Sequence, residues 1–150
     1  GTMHFRRIAL ASAVVLLGVF ITACDETTSG QRSQVVSLIN SERSGQNIGR
    51  LSQSAELNTK AGNWAAKMRD DCNISHSILT DGITFKWKSL GENVGYGKTI
   101  PEVHANLMAS KRHKANMLNK AFNRVGVGVA TGKCRGYQTV YVVEVFAQAI

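Results

Sequence analysis

Four ionisable side chains stand in settings that could do chemistry. His76 lies in Asn73-Ile74-Ser75-His76-Ser77 and Glu92 in Leu90-Gly91-Glu92-Asn93-Val94-Gly95-Tyr96-Gly97. His113 lies in Ser110-Lys111-Arg112-His113-Lys114-Ala115-Asn116-Met117-Leu118, and Glu144 interrupts an apolar run near the C-terminus. Imidazoles move protons or bind metals near neutral pH, and a carboxylate can act as a general base. Taken singly, each histidine reads first as a surface or hydrogen-bonding residue. No His-Glu-x-x-His pair, Gly-x-Ser-x-Gly elbow or phosphate loop is present. Ser110 three residues before His113 suggests a nucleophile and base, but at a helix end it reads first as a cap. Strand alternation puts Glu144 on one face with Val140, Val142 and Phe146, where a carboxylate must be paired, protonated or at a polar opening.

The elements that position these residues follow from periodicity. Residues 34–43 place Val35, Val36, Leu38 and Ile39 on one helical face, with Gly45 ending it. Residues 53–69 repeat Leu57, Ala61, Trp64, Ala65 and Met68 at helical spacing, with Ser52 or Ser54 as the cap. Thr99-Ile100-Pro101-Glu102 starts a third helix with a capping box and proline in its first turn. Residues 113–119 add a short turn of helix. Two strands are expected at 124–130 and 138–147, joined by the turn-rich connector 131–136 as a hairpin. The second is apolar on both faces, which requires cover on both. The fold expected is α+β, a three-layer α-β-α sandwich with helices flanking a small antiparallel sheet. The glycine-rich stretch 73–98 reads as an irregular functional surface.

The N-terminus has a different character. Residues 8–23 (IALASAVVLLGVFITA) carry no charge and follow Arg6-Arg7. That run is shorter than the ~20 residues a spanning helix needs, so 1–23 reads as a signal peptide. Ile21-Thr22-Ala23-Cys24 is similar to the bacterial lipobox, which implies cleavage before Cys24 and acylation of its thiol. An ordinary secretory peptide with a chance cysteine is the alternative. Two or more acyl chains would anchor the chain stably, placing it outside the cytoplasm on the bacterial membrane. Asp25 after the cysteine resembles an inner-membrane retention signal. Residues 24–33 read as a polar tether, leaving 34–150 as one domain. In that compartment Cys72 and Cys134 are free to form a disulfide.

The 150 residues carry a net charge of +8, and losing Arg6 and Arg7 lowers it to +6. The basic residues are scattered, and Lys111-Arg112-His113-Lys114 comes with no recognition helix or stacking platform. Nucleic acid is not an expected partner, and a monomer is.

Together these segments resemble the CAP superfamily, the domain of cysteine-rich secretory proteins, antigen 5 and plant pathogenesis-related 1 proteins. The resemblance runs from about Val35 to Gln148 in its compact bacterial form. It is carried by Leu38-Ile39-Asn40, Trp64-Ala65, His76-Ser77 and Gly91-Glu92-Asn93-Val94-Gly95. Ser110-x-x-His113-x-x-Asn116-Met117-Leu118, Val125 to Val129 and Tyr141 to Phe146 complete it. It implies a cleft in which His76, Glu92 and His113 gather as ligands of Zn²⁺ or another divalent cation, with a fourth position open. The family's second acidic residue has Ser110 or a neighbour in its place, so Glu144 or Glu102 is the candidate fourth ligand. A hydrogen-bonded polar cluster without metal is the alternative. For function the resemblance implies a membrane-anchored module binding a lipid, envelope or host ligand. The alternatives are a peptidase-like hydrolase with Glu92 as base and a purely structural spacer.

Overall fold

The computed structural model describes residues 26–150. Helix α1 (Ser29–Gly45) starts at a reciprocal cap: Thr28 Oγ1 accepts from the Gln31 N–H, and the Gln31 side chain accepts from the Thr28 N–H. A two-residue strand β1 (Ser52–Gln53) leads into helix α2 (Ala55–Asp71), whose cap is Ser54. Strand β2 (Trp87–Gly97) precedes helix α3 (Ile100–Ala109), where Thr99 accepts from the Glu102 N–H. Short helix α4 (Lys111–Met117) and strands β3 (Arg124–Cys134) and β4 (Tyr137–Ala149) complete the chain.

The sheet order is β1-β3-β4-β2, antiparallel except where β1 runs parallel to β3. The expected three layers are present. Val125, Val127, Val129, Val142 and Phe146 face α1, α3 and α4, in a core with Val35, Ile39, Val103 and Leu107. Tyr141, Val143, Val145 and Ala147 face α2, against Leu57, Ala61, Ala65 and Met68. The valine–glycine alternation of β3 serves both layers. Its valines fill the first core, while Gly126 and Gly128 let the α2 backbone lie directly on the strand. A Cβ on Gly128 would stand 2.0 Å from the Ala61 carbonyl oxygen. The β3–β4 hairpin turns at Arg135 and Gly136, both at positive φ (53° and 85°), the two-residue geometry whose twist matches the strands.

Two sequence expectations change. The described part of the tether is folded: Thr27 is buried, its Oγ1 donating to the Val129 carbonyl and accepting from the Val129 N–H. The Arg32 Nε donates to the Val127 carbonyl, and Glu26 pairs with Arg69. The folded part therefore begins ahead of residue 34, because Thr27 and Arg32 bond outward backbone groups of Val127 and Val129 on β3. The expected lipidation site Cys24, the retention residue Asp25 and the signal segment lie outside the described residues.

The second change is β2, which occupies the latter part of the expected irregular stretch. Three glycines lower its intrinsic strand preference, but packing supplies the reason for them. Gly95 and Gly97 lie against Val103 and Leu107 of α3, and Gly91 against Phe122 and Asn116.

Cys72 and Cys134 form the expected disulfide, 62 residues apart in sequence. It ties the end of α2 to the end of β3. Closing a loop of that length constrains the unfolded chain by about 4 kcal/mol on the entropy model.

Candidate functional site

Successive residues of a strand point to opposite faces, and β2 uses this at Glu92 and Asn93. Glu92 pairs with Val145, on the α2 side of the sheet, and Asn93 pairs with Glu144, on the α3–α4 side. Each fastens a different piece of the site.

On the α2 side, the Glu92 side chain is 3% exposed and one oxygen lies 2.8 Å from His76 Nδ1. The same oxygen accepts from the Ser77 N–H at 2.9 Å, and the other accepts from the Ser77 hydroxyl. The carboxylate thus organises the loop as a capping residue organises a helix end. His76 itself is 62% exposed, with Nδ1 engaged. Three α2 side chains at four-residue intervals hold the same loop. Glu56 accepts from the Thr84 N–H and hydroxyl, Lys60 Nζ donates to the Ile78 carbonyl, and Trp64 Nε1 donates to the Ser75 carbonyl at 2.7 Å.

On the other side, fully buried Asn93 makes the link to α4. Its Nδ2 donates to the His113 carbonyl and to Glu144 Oε1, both at 3.0 Å, and its Oδ1 accepts from Asn116 Nδ2 at 2.9 Å. Asn93 is absent from the site residues that the sequence points to; its place beside Glu92 in the Gly91-Glu92-Asn93-Val94-Gly95 string was the available signal. Burial first, then the neighbouring His76 and Arg112, hold the His113 imidazole below its ordinary pKa.

Beside His113 runs a groove of about 390 Å³, bordered by Ile74, Tyr96, Glu102, Ser110 and His113. Ser110 stands at the junction of α3 and α4 and makes no side-chain cap bond, unlike the cap expected of it. Glu102 Oε2 accepts from the Lys98 N–H.

Glu144 does not join Glu92. Register puts the two on opposite faces of the sheet, and Glu144 is 1% exposed, bonded to Asn93. Face alternation gives the right face for Glu144 but cannot say that Glu92 has the other. Burial raises the Glu144 carboxyl to about 7, with the Asn93 amide opposing. A folded-state pKa above the unfolded value means that the native state holds the proton more tightly. The associated stability is complete below pH ~4.5 and is lost as pH rises through 7. The urea midpoint should fall between pH 5 and pH 8, corresponding to about 3 kcal/mol for the full shift. Glu144→Gln should flatten this profile, and an unchanged slope in the variant would assign it elsewhere.

A zinc site needs three protein donors and an open position. Among the described residues no three His, Cys, Asp or Glu side chains are set to hold a metal ion. His76 and His113 offer two nitrogens, while both Glu92 oxygens are engaged by the loop. The expected three-donor set does not fit a cation in this arrangement.

A family model described as "Cysteine-rich secretory protein family" (CAP) matches residues 36–146, most of the chain. The chain belongs to this family. The uncharacterized protein YkwD of Bacillus subtilis is 31% identical over 116 residues, 71% of this chain and 45% of that protein. The chain thus spans under half the length of that curated relative. Two solved structures show the same fold. An extracellular SCP-domain protein of Bacillus anthracis has a TM-score of 0.66 at 23% identity, covering 79% of this chain and 40% of the other. An outer surface protein of Borrelia burgdorferi has a TM-score of 0.62 at 20% identity, covering 79% of this chain and 92% of the other. Within this CAP domain, the Gly91-Glu92-Asn93 string has a double task, fixing the His76 loop on one face of the sheet and the His113 helix on the other.

Proposed function

We propose that this CAP domain is a membrane-anchored, extracytoplasmic binding module. Its ligand is a lipid, envelope or host molecule, taken in the groove beside β2 that His113 borders. The observation that supports this reading most is the engagement of Glu92. A buried carboxylate holding a backbone N–H, a hydroxyl and an imidazole is spent on shaping a surface, with three of its about four lone-pair sites taken. Acylation of Cys24 would supply the anchor, and the monomer would display the groove to its surroundings. The outer-surface and extracellular names of the two structural neighbours agree with that compartment.

Two measurements test the reading. The full chain expressed in a bacterium should fractionate with the membrane, and Cys24→Ser should release it; continued labelling of the variant by a fatty-acid probe would refute the anchor. Purified protein should retain sedimented envelope material at neutral pH with or without a chelator, and a folded His113→Ala variant should retain less. Stoichiometric zinc that disappears in His76→Ala, together with peptide cleavage, would replace this reading by the hydrolase.

A further inference from the structure

The two outer edges of the sheet are treated differently. Along the first half of β3, the outward backbone groups of Val125, Val127 and Val129 have partners. The Ser54 N–H donates to the Val125 carbonyl. Asn58 Oδ1 accepts from the Val127 N–H and Arg32 Nε donates to the Val127 carbonyl. Thr27 Oγ1 serves both groups of Val129.

On β2 the outward set is fixed by the Glu92 carbonyl, which accepts from Asn116 Nδ2 on the side away from β4. The strand period of two then turns the N–H and C=O groups of Val94 and Tyr96 the same way. No described residue bonds to them, and β4 is the only described strand beside β2. The groove wall agrees with that direction. It includes four consecutive residues, Val94, Gly95, Tyr96 and Gly97, whereas a pocket over a sheet face meets alternate residues. Backbone groups left without protein partners in a recess are costly unless something bonds them.

The same groove continues past Tyr96 into a cavity of about 870 Å³ beside the Cys72–Cys134 disulfide. Three exposed hydrophobic side chains lie along it: Ile74, Tyr96 and Tyr137. Tyr96 stacks on Tyr141 at 6.2 Å. Lys98 and Arg135 line the cavity, and neither has an ion pair among the described residues. Its one acid, Glu102, already accepts from the Lys98 N–H.

We propose that the free edge of β2 binds an extended peptide by strand addition, pairing with the backbone groups of Val94 and Tyr96. The peptide carries an apolar or aromatic side chain with an acidic one two residues to either side, so that all three share one face. Backbone pairing supplies affinity without regard to sequence, and alternate side chains supply selectivity. That face enters the tyrosine-lined cavity, where the carboxylates meet Lys98 and Arg135. This rests on the binding-module reading and names the ligand class for its groove.

The test uses the full chain and a blocked pentapeptide, acetyl-Glu-Thr-Phe-Thr-Glu-amide. The amide hydrogens of Val94 and Tyr96 should become protected from exchange on saturation, while that of Gly95, which points to β4, should change little. Methylating alternate peptide nitrogens leaves the side chains in place. One of the two methylated sets should bind roughly tenfold or more weakly, the loss expected for two backbone bonds. The counterpart with lysines for glutamates should also bind roughly tenfold more weakly. Tyr96→Ala keeps the outward N–H and Tyr96→Pro removes it without touching the β4 ladder, so proline should cost the additional affinity. Equal binding of both methylated peptides, or no binding of the parent peptide, overturns the proposal. So does displacement of the peptide by a fatty acid with no amide protection from the peptide itself, which would assign the groove to lipid. Envelope binding that persists without peptide binding would overturn strand addition and leave the binding-module reading standing alone.

Discussion

Gly128→Ala is expected to destabilise the domain by on the order of 4 kcal/mol, read as a lowered urea midpoint. The added Cβ would sit 2.0 Å from the Ala61 oxygen, 2.2 Å from the Ala61 carbonyl carbon and 2.4 Å from the Gly62 nitrogen. All three are backbone atoms, so no rotamer change relieves the clash. Helix α2 would have to lift off the sheet, and it carries Trp64 and Lys60, which fasten the His76 loop. Loop exchange should therefore speed up even in molecules that remain folded. Gly45→Ala is the internal control. A Cβ there meets nothing within 4 Å, and in a helix alanine gains up to ~1 kcal/mol over glycine. Similar midpoints for the two variants would refute the close-packing account.

Arg43→Met should be comparably severe, and Arg43→Lys should rescue little. Arg43 is 1% exposed and donates to four backbone carbonyls: Gly49 at 2.6 Å, Met117 and Asn119 at 2.9 Å, and Phe122 at 3.2 Å. Two of these carbonyls belong to the end of α4 and the residues just after it, where helix C-termini lack internal partners. Methionine fills the space but leaves all four without donors, a loss on the order of 3–5 kcal/mol. Lysine is a point charge with three donors and cannot reproduce the planar fork. Amide exchange of Asn119 and Phe122 should accelerate in both variants, since their N–H bonds belong to the turn that the guanidinium clamps. A near-native midpoint for Arg43→Lys would show that charge alone suffices. Because α4 presents His113, loosening this clamp should weaken ligand binding before it unfolds the domain.

The sequence by itself determined the layers and most element positions. Leu57, Ala61, Ala65 and Met68 recur at helical spacing, and the valines of β3 alternate, so each element carried its own period and its own buried face. It allowed a Cys72–Cys134 disulfide on the expected compartment alone, and the folded chain brings the two cysteines together. At β2 it points to loop, because strand preference is local while the glycines there answer to Val103, Leu107 and Phe122, distant in the chain. The polar residues 26–33 likewise read as a tether, because their partners lie about a hundred residues away on β3.

The site divides in the same way. Residue types and order singled out His76, Glu92 and His113. Only the tertiary structure decided that the Glu92 carboxylate is engaged by Ser77 and His76, that Glu144 lies beneath the opposite face, and that Asn93 and Arg43 hold α4 in place. Composition and periodicity describe what a segment buries. The direction of a hydrogen bond, and whether a lone pair is left free, depends on what the folded chain brings within about 3 Å of it.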